Sequence, residues 1–372
     1  MGERLVIVAS DIEMGAGGPM DDFPQSAWLL DWLAERPDAE RVDLVLDGDI
    51  FDFLRTPVGG VWPRHIDAAV ALRKWLAMAE AHAELLDGLA VWLEKPHRHL
   101  WMMFGNHDLE LQFAPVRKAI VERLAALDQV HFPGESLRWG ELEILHGHTH
   151  DSMFRVDGPP FIEHEGREIL NLPWGAVALL DVVMPLLPAL GPLDRLKPRE
   201  RVFELLPEMR QLAQEVFWRY WTRDFWRDLL DGDPVKRLSG AMVREVVYRM
   251  GTADPEVAAD RSLIAALSRE DAPRVVVVGH FHRPGWHSKG EQRLLMLGAF
   301  RNEFELEKDG TIGRALGNVH AEIWMDGDQV TRSSLVETVS PPPPAGYMPA
   351  SVYAFKPVIE EHLAQLEVKR TG

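Results

Sequence analysis

The chain of 372 residues contains no cysteine, so it can form neither a disulfide nor a thiolate metal site. Any metal must be held by Asp, Glu, His, Asn or backbone oxygen. This composition fits a reducing compartment. Basic residues are in deficit: 40 Lys and Arg face 58 Asp and Glu, a formal charge of -18 without a long basic run. Such a surface repels phosphate backbones, so duplex nucleic acid is not an expected partner. The first fifteen residues lack a basic start and an unbroken apolar core, because Asp11 and Glu13 interrupt the run after Ala9. No signal peptide is expected, and the cytoplasm is the expected location. No internal repeat is visible. A hydrophobic fraction of 46% and a charged fraction of 26% are those of a soluble globular protein.

Strand and helix patterns alternate through residues 1 to 151, the first part of an α/β core. Strands are expected at 4 to 9, 42 to 46 and 99 to 104, and helices near 25 to 36, 65 to 94 and 115 to 127. A hairpin, Ser136 to Trp139 and Glu141 to Leu145, turns at Gly140. Residues 152 to 272 break this rhythm and read as a helical cap insertion, with proline interruptions and the aromatic stretch Phe217, Trp218, Tyr220, Trp221, Phe225 and Trp226. Strand patterns resume at 275 to 278, 293 to 297, 319 to 325 and 329 to 335, so the core is discontinuous and its second part covers 273 to 340. Pro341 to Pro344 begin a proline-rich linker and a tail over 341 to 372, with a helix near 356 to 368.

Five clusters follow apolar strand patterns. They are Asp11-Ile12-Glu13, Gly48-Asp49-Ile50-Phe51-Asp52, Gly105-Asn106-His107-Asp108, His146-Gly147-His148 and Gly279-His280-Phe281-His282. In open α/β sheets, ligands bind where strands end. Asp11 and Glu13, two apart, can reach one ion from the same side. Asp49 follows a glycine and can bridge two cations about 3.5 to 4 Å apart. Asn106 offers a neutral oxygen ligand, His107 can hydrogen-bond the substrate, and Asp108 can fix the tautomer of that imidazole. A lone strand-end Asp is more often a turn or cap, and a lone buried His is usually a core residue. Five such clusters in one chain favour a site.

Together they resemble the calcineurin-like metallophosphoesterase superfamily over residues 4 to 151 and 274 to about 337. That resemblance implies a four-layer α/β/β/α sandwich with two divalent ions. One ion would be held by Asp11, Glu13 and His282, the other by Asn106, His146 and His280, with Asp49 between them. His148 stands as the alternative to His146. His107 would bond the phosphoryl oxygen or protonate the leaving group. Glu13 departs from the family, which usually has histidine there. A hard anionic oxygen favours Mn²⁺ or Mg²⁺ over Zn²⁺, so Mn²⁺ is the expected metal ahead of Fe, Zn²⁺ or Mg²⁺. The extra negative charge should also make a bound water less acidic.

Gly48 to Phe53, His146 to His148 with Asp151, and Gly279 to Pro284 are most similar to UDP-2,3-diacylglucosamine diphosphatase-like members. The expected activity is hydrolysis of a phosphodiester or pyrophosphate bond in a small nucleotide- or lipid-linked substrate by a metal-activated water. A phosphomonoesterase, including a protein phosphatase, or a catalytically decayed scaffold are the competing readings. Arg55 and Arg283, each just beyond a cluster, are candidates to clamp a second phosphate. Leu172 to Leu193 carries only Asp181 as a charge and is long enough to span a bilayer, but Pro173, Pro185, Pro188 and Pro192 would break a spanning helix. Two readings remain: the cap's own core, packed with the Trp218 to Trp226 helix, or an apolar groove or peripheral membrane contact for a lipid-like substrate.

Overall fold

Apolar runs with a period of two build a pair of facing sheets in the computed structural model, which describes residues 2–18, 20–237, 240, 242–244 and 272–371. The first sheet has six strands, in the order Gln329–Thr338, Asn318–Asp326, Glu3–Ala9, Arg41–Asp47, Arg98–Met103 and Val130–His131. Glu3–Ala9 runs parallel to Arg41–Asp47, which runs parallel to Arg98–Met103. The second sheet has five strands, in the order Gly285–Lys289, Gln292–Met296, Val275–Val278, Leu142–Leu145 and Ser136–Trp139. Val6, Val8 and Val45 of the first sheet pack against Ile144, Val275 and Val277 of the second. The alternate residues Leu5, Ile7 and Leu44 face helices, whose Trp32, Trp75, Leu89 and Ile120 complete the main core. On the outer face of the second sheet, Val276, Val278, Leu294 and Met296 are buried with Phe281. The architecture is thus an α/β sandwich of two sheets.

The single helix expected over 65 to 94 is two, Ala68–Ala81 and Ala83–Leu93. The break falls at His82, whose buried ring bonds the Gly15 carbonyl at 2.9 Å and Ser26 Oγ at 2.7 Å. Tertiary hydrogen bonds at this one residue override the local helical pattern.

The insert is not wholly helical. Its hairpin, Phe161–His164 and Arg167–Leu170, places Ile169 and Leu170 in the main core. Its short strand Leu196–Lys197 pairs with Phe304–Leu306 of the second core part. Residues 245–271 of the expected cap lie outside the described residues. The tail does not stand apart either: Val352, Phe355 and Ile359 share one apolar cluster with Leu190, Leu206, Leu212 and Phe304.

Trp174–Arg195 is long and apolar enough to cross a membrane by length and composition, with a mean hydropathy of 1.9 and 44% of that window buried. Its prolines do not end it. Pro185, Pro188 and Pro192 open successive short helical segments, where a missing N–H costs nothing. Leu180, Met184 and Leu187 pack into the main core, and Leu190 and Leu193 into the cluster shared with the tail. Of the aromatic stretch, Tyr220 and Phe225 are buried beside Trp174, whereas Trp218 and Trp226 are 54% and 43% exposed. Leu187→Ala should therefore lower the unfolding free energy by about 2 to 5 kcal/mol in urea denaturation. A loss below about 0.5 kcal/mol would place Leu187 at the surface.

Candidate metal centre

The loops after Ala9, Asp47, Met103, Leu145 and Val278 meet at one edge of the sandwich, because the strands that carry them are parallel within each sheet. Backbone bonds zip the first two loops together: Asp11 N–H to Gly48 O at 3.2 Å, Glu13 N–H to Asp49 O at 2.9 Å and Asp52 N–H to Met14 O at 2.8 Å. Five of the seven non-glycine residues with positive φ among the described residues are Asp11, Glu13, Asp49, His280 and His282. Each such conformation costs on the order of 1 to 3 kcal/mol and persists where the surroundings impose it. A Cβ on Gly105 would lie 2.2 Å from Asp49 Oδ1 and 2.4 Å from His146 Nε2, so only glycine admits these side chains.

Among the described residues four groups of side-chain donors converge, two of them being Glu13 with Asp52 and His107 and Glu13 with Asp22 and Asp194. The other two match the expected ligand sets. Asp49, His146 and His280 form one, and Asp11, Glu13 and His282 the other, with the donor atoms of each within 4.8 Å of one another. His146 Nδ1 donates to the Asp47 carbonyl at 2.7 Å, which turns Nε2 toward Asp49 Oδ2 at 3.3 Å, where its lone pair would be available to an ion. His146 Nε2 and Asn106 Oδ1 are both buried without a hydrogen-bond partner. An unsatisfied imidazole nitrogen beside a carboxylate, in a group of three donors, is what a cation satisfies, so the residues present fit a divalent ion. The structure brings His146, rather than its alternative His148, to Asp49 and His280. His148 is buried, and that burial, with His146 and His280, pushes its pKa well below the ordinary value.

The third cluster corrects one expectation. Asp108 does not hold His107: its oxygens accept from the backbone N–H groups of Ile50 and Gly105, stapling two loops. Burial pushes the Asp108 carboxyl up to about 7. The partner of His107 Nδ1 is Asp52, at 3.0 Å. Burial would lower the His107 pKa, but Asp52, Asp49 and Glu13 outweigh it and hold it up to about 10. Burial would raise Asp49, yet His146 and His107 keep it well below the usual carboxylate range.

A second correction concerns Arg55. It is buried, with its guanidinium bound to Asp22 at 2.8 Å, Asp194 at 2.7 Å and Asp52 at 3.0 Å, so it is committed to the protein and not to a second phosphate. Arg301, whose side chain is fully buried, reaches Glu13, Asp22, Asp194 and Glu303. These two guanidinium groups occupy the carboxylate cluster of Glu13, Asp22 and Asp194, which is therefore not a further cation site. Burial raises Glu13 against the pull of Arg301 and Arg55. Burial also raises Glu303, but the His282 hydrogen bond and Arg301 bring it down to about 2. Arg283 is half-buried in the loop after His282.

Asp52 lies in the second cluster, but only the fold gives it a role. Asp22, Asp194, Arg301 and Glu303 lie outside all five clusters. The spacing of Asp52, three after Asp49 in the same loop, was a usable signal; the other four carry none in their local sequence.

No protein-family model matches the sequence, and no curated protein does. Solved structures give remote likenesses. A conserved protein from Streptococcus pneumoniae described as a predicted phosphoesterase is 10% identical, with 91% of this chain and 99% of that one covered and a TM-score of 0.27. Phosphopantetheinyl hydrolase from Mycobacterium tuberculosis is 11% identical over 80% of this chain and 90% of its own, with a TM-score of 0.29. A calcineurin-like phosphoesterase from Bacillus subtilis is 11% identical over 98% and 99%, also at 0.29. At these values the likenesses carry no argument, and the reading of the centre rests on its own side chains.

Proposed function

We propose that the chain is a two-metal phosphoesterase that hydrolyses a phosphodiester or pyrophosphate bond. The observation that carries this reading is the convergence of two donor groups on residues held in strained backbone conformations. Asp11, Glu13 and His282 would hold one divalent ion and Asn106, His146 and His280 the other, with Asp49 shared. When bound, such ions supply Lewis acidity at the phosphoryl group and acidify a water. Four oxygen-bearing side chains among seven favour Mn²⁺. His107, fixed through Nδ1 by Asp52, keeps Nε2 to donate to a phosphoryl or leaving oxygen. Arg283, beside His282, is the remaining candidate to hold a second phosphate. The loop sequences resemble UDP-2,3-diacylglucosamine diphosphatase-like proteins, which supports a small nucleotide- or lipid-linked substrate. A catalytically decayed scaffold would have no use for the strain at five ligand positions.

The test is hydrolysis of bis-p-nitrophenyl phosphate by chelator-stripped protein, before and after Mn²⁺ is restored, with p-nitrophenyl phosphate in parallel. Activity should return with Mn²⁺ and favour the diester. Preference for the monoester would move the assignment to a phosphatase, and full activity in the stripped protein would overturn the metal mechanism.

A further inference from the structure

Residues 300 to 303 form a continuous backing to the first ion site. The Phe300 N–H donates to the carbonyls of Ser10 and Asp11 at 3.1 and 3.0 Å. Arg301 donates to Glu13, and its other amino group lies 3.4 Å from Glu303, which in turn stands 3.7 Å from His282 Nδ1. One arginine thus touches Glu13 directly and His282 through Glu303, on the side of Glu13 turned away from His282: Glu13 Oε2 meets Arg301, while Oε1 lies 3.5 Å from His282 Nε2. Arg301 is itself oriented by Asp22 at 2.5 Å and by Asp194, from the insert, at 3.1 Å.

We propose that Arg301 is a positioning residue that makes Glu13 workable as an ion ligand, and that the two form a unit replacing a neutral imidazole. A carboxylate at this position adds one negative charge to the ligand set, and the buried guanidinium returns one positive charge at contact distance. Because Arg301 is shared with Asp22, Asp194 and Glu303, the pairing reduces the negative charge that Glu13 presents to the first ion without cancelling it. The expectation that Glu13 leaves the bound water less acidic is weakened, not removed, by this pairing. Holding one oxygen also confines the carboxylate to a single orientation, which lowers the conformational cost of ligation. The dependence is mutual: histidine at 13 would remove one of the four carboxylates around Arg301 and leave more of its positive charge facing the ions, where like charges repel.

This inference rests on the two-ion reading, and the experiment separates the two. Chelator-stripped wild type, Glu13→His, Arg301→Met and the double variant are titrated with Mn²⁺ by calorimetry and by the electron paramagnetic resonance signal of free Mn²⁺. Wild type should bind two ions. Each single variant should lose at least tenfold in affinity for one of them, and the double variant should return to within about threefold of wild type. Independent losses that simply multiply in the double variant would overturn the proposal while leaving two-ion binding intact. A wild type that binds no Mn²⁺ would overturn the two-ion reading and this inference with it. Because Arg301→Met also strips Asp22 and Asp194 of a partner, Arg301→Lys serves if it does not fold. The lysine variant keeps the charge, so it should retain both ions within tenfold of wild type, and loss of one ion would show that charge at this position is not what Glu13 requires.

Discussion

Asp49→Ala protein should hold neither ion tightly and turn over phosphoesters at least about 10³-fold more slowly than wild type, since several kcal/mol of charge stabilisation are lost and each 1.36 kcal/mol is tenfold in rate. The reason lies in how much converges on this one residue. Its Oδ2 lies 3.3 Å from His146 Nε2, its Oδ1 accepts the His107 N–H at 2.8 Å, and its carbonyl accepts the Glu13 N–H at 2.9 Å. Truncation therefore removes a donor from the group with His146 and His280 and strips the His107 N–H of its acceptor, while the backbone bond to Glu13 remains. Metal content after dialysis, measured by elemental analysis, is the first check, with circular dichroism confirming the fold. Two retained ions would show that Asp49 does not join the sites.

His107→Ala should behave differently, cutting the rate by about 10² to 10⁴ while both ions stay bound. The imidazole belongs to neither of the two proposed ligand sets, and its Nδ1 is taken by Asp52. If it protonates the departing oxygen, the deficit should be smallest for a p-nitrophenolate leaving group and largest for an alkoxide, which cannot leave unprotonated. Equal deficits across leaving groups would restrict His107 to binding the phosphoryl oxygen. Asp52→Asn should cost less, about 10 to 100-fold, because the amide oxygen can still accept from the ring while the charge that faces both His107 and Arg55 is lost. Asp108→Asn tests the corrected assignment: its damage should appear in stability, through the Ile50 and Gly105 amides, and not in the leaving-group dependence.

The strands were legible because they are local: runs such as Val275–Val278 and Glu3–Ala9 are apolar enough to declare themselves without a partner. The five clusters were legible for a related reason, since each packs its donors within a few residues of a strand end. Local pattern failed at His82, where two tertiary hydrogen bonds break a helix that propensity would continue. Over Trp174–Arg195 the prolines do break the regular helix, as expected, but into short segments that follow one another without a gap.

The sequence by itself thus determined the inventory of the centre: which side chains can ligate, that none is a thiolate, and that they sit where strands end. Tertiary structure decided which of them face one another. It set His146, and not His148, beside Asp49 and His280, because the Asp47 carbonyl holds the first ring against Asp49. It assigned His107 to Asp52 instead of to its neighbour Asp108, and it withdrew Arg55 into an ionic network. It also joined Arg301 to Glu13 across 288 residues of chain. The physical reason is range. Strand formation and turn chemistry depend on adjacent residues, whereas charge pairing in a buried site depends on distance through a medium of low dielectric, to which separation along the chain is irrelevant.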